Sequence, residues 1–216
     1  MNRLAICLPH LENVKAKYAF SLASMILRLG SDPPGGDLTD VVTLSGSGSI
    51  LPAVRQDIAE RAIEKYKASH LLWIDSDHSF PPDTAHRLIA HDKAWVGINA
   101  TTRAIPIQET AINLKMETVK TGPHEKGLER VRRMGFGIAL IRADVFTAIK
   151  KPWFLTKYVK VDRQRVYQGE DVYFCEKARK AGYHPFVDHD LTKETAHIGE
   201  VGFTSAMLDE ASQMSA

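Results

Sequence analysis

The stretch HLLWIDSDHSF, residues 70–80, places two carboxylates, Asp75 and Asp77, directly behind the apolar run Leu71–Ile74. Four apolar residues bounded by polar ones are the signature of a buried strand. Residues i and i+2 of an extended chain share a side, so the two acids can converge on one ligand while Ser76 faces away. Close carboxylates repel unless a cation lies near them, and a hard divalent ion, Mg²⁺ or Mn²⁺, removes the conflict and brings phosphate oxygens with it. The competing reading is a turn in which the acids cap the helix that begins near Pro81 and Pro82.

Outward from this stretch the chain alternates between strand and helix signals. Upstream, LAICLP (4–9) is a short apolar run, and Val14, Tyr18, Leu22, Met25 and Leu29 then recur at helical spacing up to Gly30. VVTL (41–44) is a second strand candidate, SGSGS (45–49) a flexible turn, and Val54, Ile58, Ala62 and Tyr66 mark a second amphipathic helix. Downstream come a helix at 81–92, the strand AWVGIN (94–99), a β-prone stretch at 109–116 and a polar loop or irregular hairpin over 117–133. FGIALI (136–141) is a further strand, with helices at 143–149 and 171–182 and a strand near 183–188. Alternation of this kind predicts an α/β fold with a mostly parallel sheet covered on both faces, in which ligands bind beyond the carboxyl ends of the strands. That is where Asp75 and Asp77 fall.

With 216 residues, 44% apolar and 25% charged, the chain suits a single domain. The formal charge of +2 selects no partner. Cys7 and Cys175 lie on apolar segments and are expected to be buried thiols. No stretch approaches the ~20 apolar residues of a membrane span and the first apolar run is too short for an export signal, so a soluble, cytoplasmic protein is expected.

Glu170 and Asp171 form a second acid pair at the start of an amphipathic helix, where the helix dipole favours a carboxylate. In the tail HDLTKETAHIGE (189–200), His189 and His197 are the best nitrogen ligands for an ion. From Lys150 to Val166, six Lys or Arg stand against one Asp, interleaved with Trp153, Phe154 and Tyr158, and KGLERVRR (126–133) adds a further basic cluster. Such a segment can steer a polyanion, or it can be a solvated basic surface.

Taken together, DSD (75–77), MGFGIALIRADVF (134–146), GEDVYFCEKARKAGY (169–183) and the trailing HIG (197–199) resemble GT-A nucleotide-sugar glycosyltransferases, in particular inverting family 2 and its small phage or bacterial types. The resemblance covers roughly the whole chain, since PHLENVKAKYAFSLASM (9–25) is similar to that family's first strand and helix. It implies a Rossmann-like GT-A domain whose residues 1–100 hold the nucleotide-sugar, 101–200 hold the acceptor and catalyse, and 201–216 form a tail. It further implies that Asp77, Asp75 and His197 bind Mn²⁺ or Mg²⁺, with Asp75 also within reach of the ribose. By the same resemblance Asp171 is the base that takes the acceptor's proton and Glu170 positions substrate, while Pro9, Arg55 and Ser76 belong to the donor site. UDP-sugars are the favoured donors. The membrane helices and the Q-x-x-R-W-type motif of processive synthases are absent from the sequence, which favours transfer of a single sugar. Two acceptors fit a basic segment beside the base: DNA carrying a hydroxymethylated base, or an anionic cell-surface glycan or lipid.

Three other readings are weaker. Haloacid-dehalogenase-type phosphatases also place D-x-D after a strand, but near the N-terminus and with Thr or Val where this chain has Ser79. Sugar-nucleotide pyrophosphorylases need a Gly-rich basic loop after the first strand, which LPHLENVKAK (8–17) is not. A nucleotide-sugar-binding module without catalysis is the third.

Overall fold

A computed structural model describes residues 2–33, 35, 38–162 and 164–200. The first half comprises β1 (Asn2–His10), α1 (Ala16–Ser31), β2 (Leu38–Ser47), α2 (Leu51–Glu60), β3 (His70–Ile74), β4 (His78–Ser79), α3 (Thr84–Ala90) and β5 (Trp95–Gly97). The helix α2 runs on into a π-helical turn, Arg61–Lys65. The second half comprises β6 (Leu128–Arg130), β7 (Ile138–Arg142), α4 (Ala143–Thr147), β8 (Lys157–Val161), β9 (Gln164–Gln168), α5 (Glu170–Lys180), β10 (Phe186–Asp188), α6 (His189–Lys193) and β11 (Ala196–His197).

Seven strands form the central sheet in the order β2-β1-β3-β7-β5-β10-β6. β1 pairs in parallel with β2 and β3, and β5 with β10. β7 runs antiparallel to both β3 and β5, which leaves β5 parallel to β3, and β6 is antiparallel to β10 at the edge. The sheet is therefore mostly parallel in direction, with β7 and β6 reversed.

The continuous apolar runs exist because both faces are covered. Alternate residues of one strand enter different cores: Ala5, Cys7, Leu71 and Trp73 face α2 and α5, whereas Leu4, Ile6, Leu72 and Ile74 face α1 and α3. The first core is aromatic. Phe136 packs edge-on against Trp73, Phe154 and Phe174 at 5.2–5.8 Å between centroids, a geometry that adds to simple area burial. Cys7 and Cys175 are buried free thiols, as expected, and burial pushes both thiols far up. Among the described residues no helix is long and apolar enough to cross a membrane.

Three stretches differ from expectation. Residues 109–116 form no strand: they make isolated bridges, Thr101 to Glu109 and Ile112 to Thr118 and Arg133, with single backbone bonds beside them, the Thr110 amide donating to the Ala100 carbonyl and the Val119 amide to the Ala111 carbonyl. The polar segment 117–133 contains β6, which finds its partner in β10. The basic segment 150–166 holds β8, part of β9 and two core aromatics: Trp153 and Phe154 are 4% and 3% exposed. The reading of all three aromatics as a nucleic-acid surface is thus corrected, since hydrophobic burial claims two of them. Tyr158 alone is out in solvent, edge-on to Tyr167 with their ring centroids 5.6 Å apart.

Candidate active site

The site forms at the carboxyl ends of β1 and β3. β3 stops at Ile74, so Asp75, Ser76 and Asp77 lie in a tight turn rather than in extended chain, with the His78 amide donating to the Asp75 carbonyl at 3.3 Å. The turn sends the two carboxylates to different partners, where the sequence suggested convergence.

Asp75 accepts from Arg55 Nη2 at 2.9 and 3.0 Å. Arg55, on α2, is 2% exposed, lies over the rings of Phe136 and Trp73, and reaches Glu170 with Nε at 3.5 Å. Its Nε and Nη1 complete no hydrogen bond of good geometry. Burial pushes the Asp75 carboxyl up, and the Arg55 charge pulls against it. One guanidinium therefore bridges the acid turn after β3 and the acids that open α5.

Asp77 gathers three other groups. Its Oδ1 lies 3.2 Å from His78 Nδ1, and its Oδ2 lies 3.2 Å from His197 Nε2 and 3.0 Å from Arg103 Nη1. β4 and β11 pair antiparallel with His78 opposite His197, and the two imidazoles stack at 4.3 Å between centroids with their planes 13° apart. The His197 ring is oriented by Nδ1, 2.6 Å from the Thr101 carbonyl oxygen, which leaves Nε2 for Asp77. His78 is seated by Gly137: a Cβ there would come within 2.8 Å of the imidazole. Burial works to raise the Asp77 carboxyl, but contacts with His78 and then His197 outweigh it and hold the group far below the usual carboxylate range.

The donor atoms of Asp77, His78 and His197 all lie within 4.8 Å of one another. This set fits a divalent ion. It offers one carboxylate and two imidazoles, and neither ring nitrogen of the buried His78 has a hydrogen-bond partner of good geometry. Such donors suit a first-row ion such as Mn²⁺ better than the all-oxygen shell that Mg²⁺ prefers. Asp75 lies outside the set and is engaged by Arg55.

A cleft of about 670 Å³ opens over these groups, within the range of small-molecule sites. Pro9, Ser49, Asp75, Ser76, Asp77, Arg103 and His197 contribute to its walls. Pro9 lines the cleft, and so does Ser76, on the same side as the two acids rather than facing away from them, whereas Arg55 is buried beneath Asp75 and is not part of the lining. At the other acid pair, Asp171 Oδ1 accepts from the Val172 amide at 2.6 Å. Burial first, then the neighbouring Glu170 charge, pushes the Asp171 carboxyl up, which suits a general base.

The structure separates the two histidines singled out in the tail. His189 is 3% exposed and lies among Thr121 (2.9 Å) and Glu129 (3.2 Å), away from the ligand group, as an interior polar contact. Sequence reasoning missed His78 and Arg103. His78 immediately follows the acid pair, a signal that could have been used; Arg103 lies in a loop with no local mark.

No family model matches the chain, and no curated protein matches it in sequence. Solved structures do match in shape. A197 from STIV is 15% identical over 94% of this chain and 97% of that one, with a TM-score of 0.55. GalNAc-T7, solved with UDP, GalNAc and Mn²⁺, is 12% identical over 93% of this chain, with a TM-score of 0.57. A Drosophila β1,4-galactosyltransferase 7 mutant, complexed with manganese, UDP-Gal and xylobiose, is 11% identical over 96% of this chain and 79% of that one, with a TM-score of 0.51. The fold is that of the GT-A glycosyltransferases. This chain spans 44% of the length of the GalNAc-T7 chain. At identities this low the GT-A likeness is one of architecture, and chemistry must be argued from the residues themselves.

Proposed function

We propose that the protein is a metal-dependent glycosyltransferase that moves one sugar from a nucleotide-sugar, a UDP-sugar for preference, to an acceptor hydroxyl with inversion at the anomeric carbon. The observation that carries this reading is the Asp77, His78 and His197 group, of which Asp77 and His197 line a donor-sized cleft at the carboxyl ends of β1 and β3 while His78 is buried behind them. Asp77 and His197 would hold the ion, with His78 beside them. A divalent ion there supplies Lewis-acid stabilisation of the charge that builds on the leaving diphosphate.

The remaining work falls to the chain's own residues. Asp171 takes the proton of the attacking hydroxyl, and its raised affinity for protons matches that task. A single base opposite the leaving group gives inversion. Glu170 and Asp75, tied through Arg55, keep the base-bearing end of α5 in register with the acid turn. Pro9, Ser76 and the Gly48–Ser49 turn shape the donor cleft. On this reading residues up to about 100 serve mainly the donor, the following hundred serve acceptor and catalysis, and the reaction takes place in the cytoplasm.

The hairpin β8–β9 ends two residues before Glu170 and carries Tyr158, Arg165 and Tyr167 in solvent. It is the surface an acceptor would meet on its way to Asp171. DNA carrying a hydroxymethylated base is the acceptor we favour; the base would have to leave its stack to reach the carboxylate. An anionic glycan is the other.

Calorimetric titration of UDP and UDP-glucose into the protein, with Mn²⁺ and then with EDTA, tests the donor half. Binding that requires the metal supports the reading, and absence of binding by any nucleoside diphosphate under any metal condition overturns it.

A further inference from the structure

A divalent ion on Asp77 must take carboxylate oxygens, and Arg103 already claims one of them. The oxygen is Oδ2, 3.0 Å from Arg103 Nη1 and 3.2 Å from His197 Nε2. Since first-row ions sit roughly 2.1 Å from their oxygens, an ion bridging Asp77 and His197 would lie against the guanidinium, and the two cations repel. Arg103 and the ion are competitors for one atom.

The loop that carries Arg103 is built to let it leave. Thr101 bridges Glu109, the Thr102 amide donates to the Gln108 carbonyl at 2.7 Å, and the Gln108 amide donates to Thr102 Oγ1 at 3.1 Å, so the base of the loop is closed. Beyond that base the Arg103 side chain is 50% exposed, and Ile105 and Ile107 at the tip are 88% and 69% exposed. The guanidinium can swing without disturbing the sheet. It also lines the donor cleft, together with Lys15, whose own charge is paired with Glu200. A guanidinium released beside phosphate oxygens meets acceptors that match its planar fork.

We propose that Arg103 gives up Asp77 to the incoming ion and takes the donor's diphosphate instead, so that one side chain balances Asp77 before loading and the phosphates after it. This rests on the metal-dependent donor site proposed above.

The test uses Mn²⁺ alone, followed by UDP and uridine at saturating Mn²⁺, with wild type, Arg103→Gln and Asp77→Asn. Mn²⁺ binding is read by the loss of the free-ion electron-spin resonance signal, and thermal unfolding confirms that each variant is folded. Without nucleotide, Arg103→Gln should bind Mn²⁺ about two- to fivefold more tightly, the release of a partly exposed ion pair. With Mn²⁺ present the same variant should bind UDP about tenfold more weakly or worse, because a charge-assisted contact to phosphate is gone, while uridine binding is unchanged. Mn²⁺ affinity that is unchanged or weaker in Arg103→Gln, with Asp77→Asn abolishing binding, overturns the exchange and leaves the metal site standing. UDP and uridine affected alike overturn the diphosphate contact. Mn²⁺ binding untouched by Asp77→Asn overturns the metal site itself and the exchange with it.

Discussion

Asp75 and Glu170, 95 positions apart in the chain, share one buried cation: Arg55 places Nη2 2.9 Å from the first and Nε 3.5 Å from the second. The shared guanidinium makes the acid turn after β3 and the start of α5 one electrostatic unit. Replacing Arg55 by Met keeps the apolar contact with Phe136 and Trp73 but leaves two partly buried carboxylates without a counter-charge. The expected cost is about 3 kcal/mol in stability, read as a shift of the urea midpoint. Arg55→Ala should cost more, because packing is lost as well.

Asp171 should set the acid limb of the activity profile. Burial and the Glu170 charge raise its carboxyl above the ordinary aspartate value. A base must be ionised, so activity is present above that raised value and lost as pH falls through it. The limb should therefore lie at a higher pH than the ~4 of an unperturbed aspartate. Asp171→Asn should lower kcat by roughly 10²–10⁴ and remove the limb, with Mn²⁺ and UDP binding retained in calorimetry.

Gly137 is the seat of His78, and a methyl group there would fall 2.8 Å from the imidazole. Gly137→Ala should displace that ring and cost about 1–3 kcal/mol through overpacking. Weakened Mn²⁺ binding should accompany the loss of thermal stability. A variant of normal Mn²⁺ affinity would show that His78 does not serve the ion.

Trp153 and Tyr158 should behave oppositely although they share one basic segment. Trp153→Ala empties a core position and should cost about 3–5 kcal/mol. Tyr158→Ala, at 64% exposure, should leave stability within about 0.5 kcal/mol of wild type. If DNA is the acceptor, retention on a DNA filter at low salt should drop for Tyr158→Ala, and that of wild type should fall steeply with salt.

The order of strands and helices was legible because each buried strand is a short apolar run and each helix repeats its apolar residues at the helical period. Pairing was not. Nothing local to 136–141 says that β7 is reversed, and β4 and β11, two residues each, are too short to leave a pattern. The acids at 75, 77, 170 and 171 were legible as chemistry, and His197 was named beside Asp77 through the family resemblance, but the pairing of Arg55 with Asp75 and Glu170 and of His78 and Arg103 with Asp77 was not, because the folded topology alone brings those groups together. The segment 150–166 misled because its basic residues drew attention from the adjacency of Trp153 and Phe154, a pair that the core takes whole.

The reversed strand also divides the molecule into two unequal rims. β7 begins where β3 and β5 end, and the Gly137 carbonyl at its start accepts the Asp75 amide at 2.8 Å. The opposite rim is tied by its own backbone bonds, Ser69 to Arg3 and Ala143 to Ser69, both 2.9 Å. Extra residues inserted between 133 and 137 would shift the acid turn, whereas extra residues at the Ser69 rim would leave it in place. The first rim is therefore where added chain alters the chemistry, and the second is where it can be added without reaching the acids.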